Sequence, residues 1–325
     1  MKKRILSGMR PTGRLHLGNY VGALENWVKL QGEYDNFHLI ADWHMLTTNL
    51  DTSGIQQNTR DMVIDWIAAG IDPEESPIFV QSKIKEHAEL FLIFSMLVTV
   101  PRLERNPTVK EQARDLGVEA NMIFGHLGYP VLQAADILLY NAHLVPVGED
   151  QLPHVELTRE VARKFNSTYD NVFIVPKGKV TEFSRLPGLD GNKMSKSLGN
   201  TILLSDSSDE IQQKVMRAIT DPQKIRRGDP GRPEVCNVFT YHRKFNSAET
   251  ETIEADCKSG ALGCVDCKRN MAAKLAPQLE VFREKRSYFS QHPGEIDDII
   301  ADGTERARKV AQQTMAAVYT AMNMG

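Results

Sequence analysis

Across residues 1–175, short β-rich runs alternate with helical stretches, and this rhythm limits what the chain can become more than any other feature. Repeated strand–helix–strand units predict an α/β fold, a doubly wound parallel sheet with helices on both faces. Ile5-Leu6-Ser7-Gly8 reads as a buried strand, followed by strands at Phe37 to Ala41, Ile78 to Gln81 and Leu144 to Val147. Helices are predicted at Asn19 to Leu30, where Val21, Leu24 and Val28 share a face, at Thr59 to Ala69, and at Pro130 to Tyr140, entered through its proline. Residues 177–200 are rich in Gly, Pro and Lys without a sustained period, which predicts a mobile loop or linker. Beyond it the chain turns mostly helical. Its last helix, over 303–323, carries a stripe of Ala307, Val310, Ala311, Thr314, Met315, Val318 and Met322 after a cap at Asp302 or Thr304, and such a stripe needs a surface to pack on.

The 325 residues are enough for two domains, each with a core of its own. With 39 basic and 42 acidic residues the net charge is -3, so any phosphate-binding surface must be local. The longest apolar run, Phe91 to Val100, falls well short of the roughly 18 residues of a membrane span. The start, Met1-Lys2-Lys3-Arg4, leads into too short an apolar stretch for a secretory signal, so a cytoplasmic protein with no membrane association is expected. All the cysteines lie late: Cys236, Cys257, Cys264 and Cys267, spaced C-x20-C-x6-C-x2-C. In a reducing compartment such a cluster points to metal, and four thiolates suit tetrahedral Zn²⁺ or a [4Fe–4S] cluster.

Two short motifs point to nucleotide chemistry. His16-Leu17-Gly18-Asn19, preceded by Arg10-Pro11-Thr12-Gly13, falls where the first strand gives way to the first helix. Ligands of parallel sheets bind at that end, where helix N-termini offer N–H groups to phosphates. His16 can donate to phosphate oxygens as charge develops. Lys193-Met194-Ser195-Lys196-Ser197, flanked by Gly191 and Gly199, places two ammonium groups where they can neutralise a leaving pyrophosphate.

These motifs resemble the signatures of class I aminoacyl-tRNA synthetases. The segment from Tyr129 to Tyr140, followed by Val145-Pro146-Val147-Gly148-Glu149-Asp150-Gln151, resembles bacterial tryptophanyl-tRNA synthetases, and the cysteines resemble a subset of them that carries a [4Fe–4S] cluster. The first cysteine interval is two residues shorter than in that subset, a change that alters loop closure negligibly. The resemblance implies a Rossmann-like catalytic domain over 1–190, with helix 303–323 returning to it. It also implies a signature loop and helical anticodon-binding domain over 191–300 that holds the cysteines. Implied too are ATP and Mg²⁺, activation of L-tryptophan to its adenylate, transfer to tRNA(Trp) with release of AMP and pyrophosphate, and a homodimer. His16, Lys193 and Lys196 would be catalytic. Arg10, Pro11, Thr12, Gly18, Asn19, Gly148, Glu149, Asp150 and Leu186 would line ATP together with Lys193, Met194, Ser195, Lys196 and Ser197. Tryptophan would meet Tyr129, Gln133, Asp136, Gln151 and His44. Arg10 stands where many relatives have glutamine, and Gln112 where some have a mobile lysine, which leaves Lys110 as a substitute phosphate ligand.

Tyr129, Gln133 and Asp136 are spaced i, i+4, i+7 and share one helix face among apolar neighbours. A carboxylate there needs a donor, supplied either by another element or by the ring N–H of indole, which has one donor and no acceptor. Basic residues flank the cysteines at Lys258, Lys268, Arg269, Lys274, Arg283, Lys285 and Arg286, and Arg283 and Arg286 are expected to face tRNA. Competing readings are another adenylyl-transferring enzyme of the same superfold, such as a tyrosyl-tRNA synthetase or a nucleotidylyltransferase, and a retired RNA-binding or redox-sensing protein.

Overall fold

A computed structural model describes residues 2–180 and 186–325. Five strands, β1 (Arg4–Met9), β2 (Asp35–Ile40), β3 (Ile78–Val80), β4 (Leu144–Val147) and β5 (Lys177–Val180), pair in parallel in the order β3-β2-β1-β4-β5. The winding reverses between β1 and β4, so their carboxyl ends, at Met9 and Val147, flank the crevice where sheets of this kind bind ligands. The doubly wound sheet is as predicted. The expected loop over 177–200 contains the fifth strand at its start, because Lys177 to Val180 finds an open edge beside β4. Its residues 181–185 lie outside the described residues.

Helices follow in chain order as α1 (Leu17–Asn19), α2 (Glu25–Leu30), α3 (Asp42–Leu46), α4 (Ile55–Ala69), α5 (Glu86–Ser95), α6 (Val100–Glu104), α7 (Pro107–Asp115), α8 (Phe124–Leu139) and α9 (Leu152–Thr168). After the sheet come α10 (Ser208–Arg217), α11 (Asn237–Phe245), α12 (Thr250–Ser259), α13 (Cys264–Gln278), α14 (Glu280–Gln291) and α15 (Pro293–Ala321). The helix predicted over 19–30 is divided into α1, a π turn at Tyr20–Leu24, and α2. Pro130 does not open a helix: it sits inside α8. An internal proline costs about 3 kcal/mol. Tyr129, Val131, Leu138 and Leu139, all buried on this helix, return roughly 1.5–3 kcal/mol each, so packing wins.

The chain divides into two compact units, one of Met1–Gly13, Glu25–Glu182 and His292–Gly325, the other of Arg14–Leu24 and Phe183–Gln291. In the first, Leu6, Phe37, Phe79, Leu138, Tyr140 and Phe165 form a core that Ala307, Ala311, Met315 and Val318 of α15 complete. This helix starts ten residues before the predicted 303, at Pro293, whose fixed φ suits a first helical position. Asp302 and Thr304 are therefore interior residues rather than caps, and Ile296 and Ile300 extend the buried stripe. In the second unit, α10 begins with a reciprocal Ser207–Glu210 capping box. It packs on α13, which also receives α11, and Ile211, Val215, Tyr241, Met271 and Leu275 are buried among them. Among the described residues no helix is long and apolar enough to cross a membrane.

Candidate active site

In the first unit the predicted face of α8 closes on a buried carboxylate. Asp136 is 2% exposed and has three donors from elsewhere in the chain. Gln81, at the end of β3, donates Nε2 to Oδ1 at 2.8 Å and Oδ2 at 2.9 Å; His87 Nδ1 lies 2.7 Å from Oδ1, and His44 Nε2 2.8 Å from Oδ2. The Trp43 N–H donates to Gln81 Oε1 at 3.2 Å, which turns the amide nitrogen toward Asp136. Burial works to raise the Asp136 pKa, but the hydrogen bonds and charge of His44 and His87 outweigh it and hold it at about 2. Asp136 is thus an ionised acceptor held in a buried polar cluster. The sequence offered a cross-element partner and an indole as alternatives, and the cross-element partners are present.

Tyr129 belongs to the same cluster, its ring centroid 6.3 Å from that of His44. Asn106 caps α7 by accepting from the Thr108 N–H at 3.1 Å, so its amide nitrogen faces His154 Nδ1 at 3.1 Å. Burial takes the His154 pKa down to about 4, so the ring is neutral, carries its proton on Nε2, and donates it to the Tyr129 oxygen 2.8 Å away. The Tyr129 O–H is left to donate elsewhere, and burial raises its pKa. Sequence reasoning missed Gln81, His87, Asn106 and His154. All four look like ordinary polar residues until the fold brings them against α8.

Past β1, the partly exposed Arg10 donates to Thr48 Oγ1 at 3.3 Å, Pro11 is buried and Thr12 exposed. Past β4, Gly148 leads into a 3-10 turn at Glu149–Gln151. A Cβ at Gly148 would stand 2.6 Å from Asp150 Oδ1, so a side chain there would turn that exposed carboxylate aside. Thr108 Oγ1 holds the Asp150 carbonyl at 2.9 Å, and Gln151 donates to Asp150 Oδ2 at 3.1 Å. Gln133 is half-buried on α8, Lys110 is exposed on α7, and Gln112 is half-buried there.

The second unit brings together the two nucleotide motifs. Residues 15–17 pair with 202–204 through Leu17 N–H to Ile202 O at 2.9 Å and Leu204 N–H to Leu15 O at 3.0 Å. His16 caps α1, its Nδ1 accepting from Asn19 N–H at 3.2 Å while Asn19 Oδ1 accepts from His16 N–H at 3.1 Å. Burial, then the Lys196 charge, lowers the His16 pKa to about 4. His16 is therefore neutral, with Nε2–H as a free-standing donor. Met194 is buried, its Sδ 3.2 Å from the Gly18 nitrogen, and a Cβ at Gly18 would meet that sulfur at 3.1 Å. Buried Asn200 splints the lysine loop: its Oδ1 accepts from Ser195 N–H at 2.8 Å and its Nδ2 donates to Lys193 O at 3.0 Å. Ser195 and Ser197 hydroxyls are 2.8 Å apart, Lys193 and Lys196 are exposed, and Leu186 is buried. Gly191 and Gly199 take φ of +84° and +65°, which explains the flanking glycines.

Also in this unit, Cys236 precedes α11, Cys257 lies near the end of α12, and Cys264 and Cys267 occupy the first turn of α13. None is in a disulfide. Burial, followed by the charges of Cys236, Cys257 and Cys264, pushes the Cys267 thiol up to about 12, and burial also raises Cys236 and Cys257. Among the described residues, no group of three or more His, Cys, Asp or Glu side chains is placed to hold a metal ion. The basic surface expected nearby is largely spent on the fold. Arg286 is buried, Arg283 donates to the Ala276 carbonyl at 3.1 Å, and Lys258 and Lys274 pair with Glu254 and Glu249, both at 2.5 Å. For Arg283 and Arg286 the fold sets this, through a carbonyl and through burial that a linear sequence does not display, whereas Lys258 and Glu254 are an exposed i,i+4 pair.

Comparison with known proteins shows similarity along nearly the whole chain. Residues 1–280 match the family described as tRNA synthetases class I (W and Y). The chain is 53% identical over 329 residues to the tryptophan–tRNA ligase of Thermotoga maritima, covering 99% of each, and 44% identical over 393 residues to that of Aquifex aeolicus, covering 99% and 100%. It superposes on a Campylobacter jejuni tryptophanyl-tRNA synthetase solved with ADP and tryptophan, with a TM-score of 0.86, 32% identity and coverage of 98% and 99%. The chain belongs to the class I tRNA synthetases of the tryptophan and tyrosine group.

Proposed function

We infer that this protein uses ATP to activate L-tryptophan and charges tRNA(Trp). The single structural observation behind this reading is Asp136, a buried, ionised, acceptor-only group beside Tyr129. Indole offers it one N–H and no competing acceptor, phenylalanine would leave it without a ring donor, and a phenol also presents lone pairs. An oxygen of the tryptophan carboxylate attacks the α-phosphorus in line, the α–β bridging P–O bond breaks, and pyrophosphate leaves. A terminal hydroxyl of the tRNA then attacks the adenylate carbonyl and AMP leaves. Both steps rest on positioning and charge stabilisation.

Lys193 and Lys196 neutralise the departing pyrophosphate, and His16 donates Nε2–H to phosphate oxygen. Their support is the Asn200 splint and the neutral His16 ring. Arg10, Pro11, Thr12, Gly18, Asn19, Leu186 and the Gly148–Asp150 turn line ATP, whose phosphates carry Mg²⁺. His44, Tyr129, Gln133 and Gln151 surround the amino acid, with the Tyr129 O–H free to meet its polar end. Pyrophosphate exchange with each amino acid tests the assignment: tryptophan alone should support it. Lys196→Ala should lower kcat for exchange by about 100-fold while changing the KM for tryptophan little. Unchanged kcat would remove Lys196 from the mechanism.

Cys236, Cys257, Cys264 and Cys267 would hold a [4Fe–4S] cluster, with zinc the alternative. Their donor chemistry suits either, since thiols that raise one another's pKa are stabilised as thiolates by a bound cation. The helical domain then serves as the tRNA-binding element, with exposed Arg226 and Arg227 better placed for phosphates than Arg283 and Arg286. A homodimer is supported by Leu92, Met96, Val100, Ile123 and Phe124, exposed apolar side chains on α5, α6 and the start of α8 that a second copy would cover. Free thiols fit a reducing, cytoplasmic setting.

A further inference from the structure

The Asp136 carboxylate is built from behind. Of its three donors, Gln81 and His87 are wholly buried, and only the His44 side chain retains any exposure, 12%. His87 Nε2 lies 2.8 Å from the Tyr140 hydroxyl, and Tyr140 is itself completely buried, with a pKa that burial raises well above the ordinary phenol value. A phenol that keeps its proton donates it to Nε2, which fixes the other ring proton on Nδ1, facing Asp136 Oδ1. The chain of donors runs from Tyr140 O–H to His87 Nε2, and from His87 Nδ1–H to Asp136. Phe79 stacks beside the His87 ring with centroids 6.3 Å apart, so the imidazole has little room to turn.

We propose that His87, pinned by Tyr140, is a specificity-determining positioning residue. With Gln81 it holds Asp136 from the buried side, so that recognition of a ring N–H depends on a side chain directly behind the carboxylate and on Tyr140 behind that. This rests on the reading that Asp136 accepts the indole N–H. On the Oδ1 side both donors are buried. On the Oδ2 side Gln81 donates as well, and His44, the one donor with some exposure, is the one that the ring N–H would join or displace. Without the His87 donor, desolvation acts on Asp136 with less opposition, and a carboxyl that takes up a proton no longer requires a donor from the substrate.

The test compares kcat/KM in pyrophosphate exchange for L-tryptophan and for β-(3-benzothienyl)-L-alanine, which carries sulfur in place of the ring N–H. Asp136→Ala tests the underlying reading, because it removes both acceptor oxygens and the preference for tryptophan should collapse if Asp136 holds the N–H. His87→Leu should reduce that preference by about tenfold, through KM, with kcat within about threefold. His87→Asn, whose amide nitrogen stands near the position of Nδ1, should retain it, which a purely volume-filling role would not predict. Tyr140→Phe, which frees the tautomer without opening a cavity, should give an intermediate loss. Should Asp136→Ala leave the preference intact, the Asp136 reading fails. If it abolishes the preference while His87→Leu leaves it intact, only the role of His87 fails. If His87→Leu does not fold, Tyr140→Phe decides: an unchanged preference overturns the proposal and a partial loss supports it.

Discussion

His38 shows how far burial alone can drive a titratable side chain. It is completely buried, stacked on Trp27 with centroids 5.2 Å apart and near Trp66, and neither ring nitrogen has a hydrogen-bond partner among the described residues. Desolvation lowers its pKa to about 3. Below its ordinary value of about 6.5, the unfolded chain binds a proton at this site that the folded chain refuses, so stability is lost as pH falls from 6.5 toward 3. The slope is up to about 1.4 kcal/mol per pH unit. His154, lowered to about 4, acts in the same direction. His38→Phe keeps a ring between the tryptophans and removes the titration. Its stability relative to the parent, from chemical denaturation, should rise by about 2 kcal/mol between pH 8 and pH 5. An equal difference at both pH values would show that His38 does not titrate in this way. Nothing in the sequence around His38 marks it, because its pKa is set by two tryptophans from other elements.

At the scale of elements, α15 docks on β3 through a missing side chain. A Cβ at Gly303 would lie 2.1 Å from the Ile78 carbonyl oxygen and 2.7 Å from its nitrogen, a contact backbone atoms cannot relieve by rotating. In an exposed helix interior Gly→Ala is worth up to about 1 kcal/mol of stabilisation. Here Gly303→Ala should instead cost about 3 kcal/mol or more, because the helix must lift from the sheet. Urea unfolding checks this, and a loss below about 1 kcal/mol would mean the packing adapts. The sequence revealed the apolar stripe of α15 but not its beginning. Asp302, Gly303 and Thr304 together resemble a helix boundary, and only the nearby strand explains a glycine there. Pro130 misled in the same way, since the burial that outweighs its lost hydrogen bond comes from α5 and α9.

For the molecule as a whole, the proposed roles in catalysis and tRNA recognition predict different outcomes when the cysteines are altered. Anaerobically purified protein should be brown and contain iron, and Cys264→Ser should remove it. The variant should raise the KM for tRNA by about tenfold with tryptophan-dependent pyrophosphate exchange within about twofold. A colourless, zinc-containing protein would replace iron with zinc, and an equal loss of exchange would tie the cysteines to activation itself. Charge alone could not locate this surface, since Arg283 and Arg286 are absorbed by helix packing. What the sequence determined by itself was the alternation that makes a parallel sheet, the two motifs of His16–Asn19 and Lys193–Ser197, and the cysteine set. The first is written in local periodicity, the motifs in residue types a few positions apart, and the cysteines in a cluster confined to residues 236–267. Tertiary structure decided the ionised state of Asp136, whose donors His44, Gln81 and His87 lie 92, 55 and 49 residues away in the chain. A buried charge is governed by whichever groups the fold places within 3 Å, and that proximity exists only once the sheet and α8 have closed around it.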